Sequence, residues 1–501
     1  MGVARCIKSD REVFRLRHPS FLISVAFIAL PITSVGETHD AFHHLGQINK
    51  ASIVMLAEER IVPDELAAVI ATGIARVIDE QAEEGARRSA NYLDFEARLL
   101  ELAGAEASRL HTGRSRQDIG STYRRMGLRE NLLDTYDALL AARMALLDVA
   151  AAHVDTIIPA YTHGVQAQPT TLAHYLLAFS AAFERDAERL EAAYSRLNLS
   201  PLGAAAFGTS GFAIDRERLA ELLGFDSVVE NSYDANLVSS VDSKIEFANA
   251  LSTSAIMVGQ LMQNLHTQYH NPVPWIQLAE ESTDVSSIMP QKRNPRPLDR
   301  VRLLATSVVG SAHTVTLNAH NTNSGMNDYR PGTQAADAAA KAQEMYAAYV
   351  DVMRSLVVDP ARSLQEVDID YSTMTEVADV LLRHAEVPFR VGHHYASELT
   401  TYGRAHGKRP KDLTDEELTQ LYEESIGESL PVEVELIRQA MDPVTMVRNR
   451  KGLGGPQEQE VVRMLARHND SLASGLGWLD LSRTHLQNSA TTLERAFAEL
   501  K

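Results

Sequence analysis

Apolar residues recur every three to four positions through most of this chain, the period of a helix that buries one stripe and wets the other. Strict alternation, the mark of a half-buried strand, is scarce. Three periodic runs stand out for length, roughly 117–154, 170–198 and 241–270, with a fourth near 332–357. Globular helices average about 10–14 residues, so runs of this length predict a long antiparallel bundle whose outer stripes are buried between copies of the chain. Pro63 stands where a first helical turn tolerates proline, ahead of DELAAVIATGIARVIDEQAEEG. Only 27 Gly and 18 Pro are spread over the 501 residues, with no low-complexity linker and no repeat. An all-α fold follows.

A chain of 501 residues is too long for one ordinary core. The expected layout is an N-terminal helical domain over 37–115, a central long-helix bundle over 116–365 and a C-terminal helical domain over 366–501. Residues 1–36 hold FLISVAFIALPI behind the basic stretch RLRH. That segment resembles the apolar part of a secretory signal and is too short to span a bilayer. An N-terminal arm, or a start codon upstream of the true one, is the plainer expectation, with export left open beside a cytoplasmic location.

Composition narrows the partners. With 48 Lys and Arg against 66 Asp and Glu the formal charge is −18, which disfavours nucleic acid and anionic membrane. Cys6 is the only cysteine, so the chain has neither an intrachain disulfide nor a cysteine-based zinc site. A small anion is still a suitable partner where a few cations converge.

The unusual residues collect between the long runs, where loops on a rigid scaffold commonly carry function. HTGRSRQD, residues 111–118, puts Thr112, Ser115 and Arg116 at a helix start, where free N–H groups and the helix dipole favour an anion; a plain N-cap with solvated arginines fits as well. YTHGVQAQPTT, residues 161–171, sets Thr162 beside His163 and places Gln166 and Gln168 before Pro169. A histidine there can hold or move a proton near neutral pH, and a structural histidine is the alternative. SSIMPQKRNP, residues 286–295, brings a hydroxyl, an ammonium and an amide within nine positions, bracketed by Pro290 and Pro295. Lys292 and Asn294 can stabilise a developing oxyanion, and the same field lowers the pKa of a nearby Ser286 hydroxyl. No Gly-rich phosphate loop and no metal-ligand spacing accompany them. The set fits a cofactor-free elimination that begins with proton abstraction next to a carboxylate.

SSIMPQKRNP resembles the signature of the fumarase/aspartase superfamily, and the chain as a whole is most similar to its argininosuccinate lyase branch. The likeness runs from about residue 38 to about 466 and includes LHTGRSRQD, YTHGVQAQPTTLAH, PLGAAAFGTSGFAIDRERLAELLGF, ENSYDA, VPFRVGHH and DPVTMVRNRKGLGG. It implies a helical homotetramer of three-domain chains with active sites shared between subunits, while the acidic balance already argues for no nucleic acid and no membrane partner. It implies cleavage of a C–N or C–O bond in a succinyl substrate, with release of fumarate. Ser286 is then the base that removes the Cβ proton. Lys292 and Asn294 hold the carboxylate that takes up charge, and His163 beside Thr162 assists protonation of the leaving group. Asp299 falls where the family usually has the glutamate that partners this histidine. Ser115, Arg116, Gln117, Thr162, Gln166, Tyr329 and Arg330 complete the substrate-binding set.

Departures from the pattern fall on one side of the site. The family's Arg-Asn-Asp reads Arg116-Gln117-Asp118, its Glu-Asp-Ile-His appears as residues 89–92, and an N-terminal Trp-Gly-Gly-Arg-Phe is absent. The family's Tyr-Asn-Arg-Asp-Leu-Gln-Glu-Asp-Lys is here MNDYRPGTQ, residues 326–334, so a Gln and a Lys that help bind the amino-acid half are lost. Two substrates remain open: argininosuccinate, yielding arginine, or another N-substituted aspartate such as ethylenediamine-disuccinate. The altered half favours the second, because a site built for arginine should keep its polar partners. A crystallin-like structural role is the third possibility, and retention of Ser286, Lys292, Asn294 and His163 argues against it.

Overall fold

The computed structural model describes residues 39–83, 85–325 and 333–501. Residues 1–36, Tyr329 and Arg330 therefore lie outside the described residues, and so does most of MNDYRPGTQ.

Helices dominate. The first group is α1 Ala41–Glu58, α2 Asp64–Ala82 and α3 Tyr92–Ala103. Then comes α4 Arg116–Ala152, followed by strands β1 Ile157–Thr162 and β2 Val165–Thr171, and by α5 Leu172–Leu197. The short pieces β3 Leu199–Ser200, α6 Arg216–Leu222, β4 Ser227–Val228 and α7 Ser232–Leu237 lead into α8 Ser239–Thr267. Strands β5 Ile276–Leu278, β6 Asp284–Val285 and β7 Arg293–Asn294 separate α8 from α9 Arg296–Ala319 and α10 Gln334–Arg354. After β8 Leu356–Val358 come α11 Pro360–Ile369, α12 Met374–Ala385, α13 Phe389–Ala405, α14 Asp415–Ile426, α15 Val434–Met441, α16 Pro443–Arg448 and α17 Glu458–Glu499. The four long runs expected from periodicity match α4, α5, α8 and α10 to within a few residues at most ends.

The largest apolar cluster joins α4, α5, α8, α9 and α10 through residues such as Tyr136, Leu146, Leu176, Phe183, Phe247, Val301 and Tyr346. A second gathers α1, α2 and α3 with Ile119, Met126 and Phe225, and a third lies among α12 to α15 around Tyr395, Leu399 and Tyr422. The 42-residue α17, which periodicity did not single out, does not join that third cluster. Val461, Leu472 and Leu479 pack on the bundle, while Leu493 and Phe497 pack on the first three helices. Its polar seam explains both its course and its obscurity in the sequence. Arg467 pairs with Glu184, His468 Nδ1 lies 3.2 Å from the buried Arg143, Arg483 bridges Asp134 and Asp137, and Glu494 meets Lys50.

The ends of the bundle decide where the loops fall. At 1.5 Å per residue, the 37 residues of α4 span about 55 Å. Near its N-terminal end, Arg125 donates to the Ser239 carbonyl at 3.1 Å, which puts the start of α8 there. Arg125 and Arg129 also donate to the last carbonyls of α5 and to those just beyond α6, filling acceptors that helix ends leave open. Residues 273–275, beyond the far end of α8, are bound by α11: Arg362 donates to the Val273 carbonyl and the Asp359 N–H to that of Trp275. Ser363 of the same helix donates to the Ile157 carbonyl of β1 at 2.6 Å. The β1–β2 hairpin and the β6–β7 hairpin thus rise from one end of the long helices, and the start of α4 lies at the other. No helix among the described residues is long and apolar enough to cross a membrane.

Candidate active site

The start of α4 is built by a capping box. Ser115 Oγ accepts the Gln117 N–H at 3.0 Å, and Asp118 Oδ1 accepts the Ser115 N–H at 2.8 Å. Asp118 is fully buried, and its Oδ2 accepts the N–H groups of Gly203 and Ala205, each at 3.0 Å. One carboxylate therefore ties residues 115–118 to the PLGAAA loop. Burial pushes its pKa up to about 6, against the pull of those N–H donors and of the Arg114 guanidinium. Sequence reasoning passed over Asp118, although the Ser-x-x-Asp spacing was the signal for it. Arg114 is buried and donates to Ser52 Oγ, whereas Arg116 is exposed and Gln117 half-buried, neither side chain hydrogen-bonded among the described residues.

Residues 157–171 are not simply a loop opening a helix but an antiparallel hairpin with a bulge between Pro159 and Tyr161. Thr162 pairs with Val165, so His163 and Gly164 form a two-residue turn with φ of 53° and 76°. Positive φ at both central positions is the turn that matches strand twist, and glycine takes the second at little cost. His163 is thereby held out at the tip, exposed, with no side-chain hydrogen bond among the described residues. Thr162 is exposed as well, while Gln166 donates to the Val367 carbonyl at 3.2 Å. Thr171 Oγ1 caps α5 by accepting the His174 N–H.

SSIMPQKRNP forms the tip and return strand of the second hairpin. Asp284 pairs with Asn294 and Val285 with Arg293. Beyond that pair, the Ser286 N–H donates to the Lys292 carbonyl at 3.3 Å, so the serine and the lysine face each other where the tip opens. Ser286 Oγ accepts the Met289 N–H at 3.2 Å, and the Lys292 N–H donates to the Met289 carbonyl at 3.0 Å. Two ion pairs hold the base, Arg293 with Glu280 at 2.6 Å and Arg296 with Asp284. Ile288 at the tip is 82% exposed. Lys292 is exposed and Asn294 half-buried, and neither side chain has a hydrogen-bond or ion-pair partner among the described residues.

Ser286, Lys292 and Asn294 are therefore brought together in one protomer, and so are Ser115, Arg116 and Gln117. The two groups lie at opposite ends of the bundle. Asp299, in the first turn of α9, has its carboxylate 3.5 Å from His266 Nδ1 and 3.5 Å from Arg302, and no bond joins it to His163 within the protomer. Among the described residues, no cluster of three or more His, Cys, Asp or Glu side chains is arranged to hold a metal ion.

Known proteins share this architecture and these sequences. Residues 48–310 match the family described as lyase, and residues 371–448 that described as argininosuccinate lyase C-terminal. Argininosuccinate lyase of Methanosarcina acetivorans is 32% identical over 462 residues, covering 90% of each chain. Argininosuccinate lyase 2 of Agrobacterium fabrum is 34% identical, covering 91% of this chain and 93% of its own. Among solved structures, an EDDS lyase in complex with formate superposes with a TM-score of 0.83 at 30% identity, covering 92% of both chains. The fumarate lyase of Mesorhizobium sp. BNC1, with a TM-score of 0.67 and 19% identity over 85% of this chain and 95% of that one, shares the fold.

The helical bundle and these relatives define a class of enzyme, the carbon–nitrogen lyases that release fumarate. The chain belongs to the argininosuccinate lyase branch of the fumarase/aspartase superfamily.

Proposed function

We propose that this protein eliminates an amine from an N-substituted aspartate to leave fumarate, with an aminopolycarboxylate such as ethylenediamine-disuccinate preferred over argininosuccinate. The observation that supports the chemistry is the β6–β7 hairpin, in which the Ser286 N–H donates to the Lys292 carbonyl, so that the two residues are cross-strand neighbours and the Lys292 side chain has no acidic partner among the described residues. Ser286 Oγ removes the proton from the carbon next to one succinyl carboxylate. The electron pair moves into that carboxylate, where Lys292 Nζ and Asn294 Nδ2 stabilise the charge as it develops. Collapse of this aci-carboxylate forms the C=C bond and breaks the C–N bond. The amine leaves with a proton, which His163, exposed at the tip of its turn, is assigned to deliver by the likeness of YTHGVQAQPTT to the family pattern.

The second carboxylate goes to Arg116 and the free N–H groups at the start of α4. Because that end is separated from Ser286 by the length of the bundle, a complete site draws on more than one chain. A symmetric homotetramer supplies it. Ile256 on α8 and Leu303 and Leu317 on α9, all more than half exposed in the protomer, are the apolar positions such an assembly would cover.

Preference for an aminopolycarboxylate rests on the altered amine half, where Gln117 and MNDYRPGTQ replace the argininosuccinate pattern, and on the likeness to EDDS lyase. Cleavage of argininosuccinate is the second reading, favoured by the relatives of that name. Parallel measurement of fumarate release from the two substrates decides between them. The proposal expects kcat/KM for ethylenediamine-disuccinate to exceed that for argininosuccinate at least about tenfold. The reverse order assigns the enzyme to arginine synthesis.

A further inference from the structure

At the end of the bundle that carries Arg116, a cavity of about 300 Å³ opens between the start of α8, the end of α9 and the start of α10. It adjoins the α4 start through a short chain of bonds. Asp118 accepts from Gly203 and Ala205, Asn236 donates to the carbonyls of Ala205 and Ala206, and the next two residues, Leu237 and Val238, line the cavity. Val241, Ile245, Val315 and Ala319 make the walls largely apolar.

The cavity also holds a cation. Lys244 lines it, half-buried, with no hydrogen bond or ion pair among the described residues. Glu246, the acid two positions on, is taken by Arg196. Asp242 lines the same cavity but forms no ion pair with the lysine. The other charge close to Lys244 is positive. Arg124 of α4 folds back over Gly120, where an added Cβ would come within 3.1 Å of its guanidinium, and it too lacks an ion pair. Burial first, and Arg124 second, hold the Lys244 ammonium below the usual lysine range. Arg124 stands seven residues after Gln117, so the two lie on one stripe of α4. A half-buried ammonium without an ion-pair partner is costly, and an anion placed against it lowers the cost.

We propose that Lys244 is the cation of the subsite for the leaving amine and selects amines that carry a carboxylate. The subsite rests on the lyase reading above, which directs the leaving half of the substrate to Gln117. The apolar walls take the carbon chain of the amine, and Lys244 meets its carboxylate.

Two measurements on the full-length protein test this separately. In the first, kcat/KM is compared for ethylenediamine-disuccinate and for N-butylaspartate, whose leaving amine has no carboxylate, in wild type, Lys244→Met and Lys244→Arg. The subsite predicts that Lys244→Met lowers the ratio of the two at least about tenfold and that Lys244→Arg restores most of it. Loss of the same size on both substrates overturns it. In the second, Lys244 is acetylated with acetic anhydride at mildly alkaline pH and quantified by mass spectrometry. N-(2-aminoethyl)aspartate, the amine that ethylenediamine-disuccinate would leave, should slow the reaction at least about tenfold, and butylamine should not. Equal labelling with and without that amine overturns the subsite. If wild type releases no fumarate from these two substrates or from argininosuccinate, the lyase reading fails and the labelling alone decides: protection keeps a site for carboxylate-bearing amines, and its lack removes it.

Discussion

The separation of Arg116 from Ser286 along one chain makes a quantitative prediction for mixed assemblies. Ser286→Ala removes the proposed base, and Arg116→Gln removes a carboxylate-binding cation. Each homogeneous variant should fall to about 1% of wild type or below, because each lost group acts on charge in the transition state. When equal amounts are dissociated and reassembled, the chain offering the β6–β7 hairpin to a given site is the Arg116→Gln chain half the time. The chain offering the α4 start is independently the Ser286→Ala chain half the time. About one site in four is then intact, and the mixture should recover about a quarter of wild-type activity. The two ends of α4, about 55 Å apart, are what make the choices independent. A doubly substituted chain mixed with wild type supplies the control. Sites shared between chains again give about a quarter, whereas sites contained in one chain give about a half. Fumarate release is followed after mass spectrometry has verified subunit exchange. Activity no higher than the mean of the two parents, with exchange complete, would refute the composite site.

Ser286→Ala alone should lower kcat about 10²-fold or more while leaving the assembly and KM near wild type, by light scattering and steady-state kinetics; turnover within tenfold removes Ser286 from the role of base. Asp118→Asn should cost about 2–4 kcal/mol in denaturant unfolding although it keeps the shape, because both oxygens of Asp118 accept only from N–H groups and either amide orientation sets an NH2 against two of them. A loss below about 1 kcal/mol would mean the loops do not depend on that carboxylate. His468, buried beside Arg143, has its pKa pushed down to about 4 from 6.5 by burial and then by that guanidinium. The unfolded chain binds the proton near 6.5 and the folded chain only near 4, so stability is full above 6.5 and falls, by up to about 3 kcal/mol, as pH drops through this window. His43, held near 4 by burial and by His39 and His44, contributes in the same direction. Thermal melts across that range should show the fall, and His468→Gln should flatten it; an unchanged slope refutes the assignment to His468.

Much of this architecture is legible in residue spacing. A helix expected over 117–154 occupies Arg116–Ala152, because a 3.6-residue apolar stripe that long has no competing structure to satisfy. In SSIMPQKRNP, Pro290 and Pro295 mark a shaped backbone, but they give no sign of the β6–β7 pairing that puts Arg293 and Asn294 in a strand between them. The β1–β2 hairpin was not legible either, for physical reasons. Its strands are short, Pro159 and Pro169 interrupt the alternation, and His-Gly is a weaker turn signal than Asn-Gly. α17 escaped notice because much of its packing runs through ion pairs such as Arg483 with Asp134 and Asp137, which leave a thin apolar stripe. Arrangement in space was the least legible. Lys244 belongs to no recognised motif, and only the packing of α8 beside the N-terminal end of α4 and against α9 and α10 puts it in a cavity near that end.

Fumarate release from ethylenediamine-disuccinate by the purified, assembled protein, followed by the product's ultraviolet absorbance beside the Ser286→Ala variant, decides whether the hairpin serine drives an elimination. Wild type should release fumarate steadily, one for each N-(2-aminoethyl)aspartate formed, and the variant at a rate about 10²-fold lower. An assembled wild-type protein that yields no fumarate from this substrate or from argininosuccinate, or a Ser286→Ala protein that yields it as fast as wild type, would contradict that chemistry.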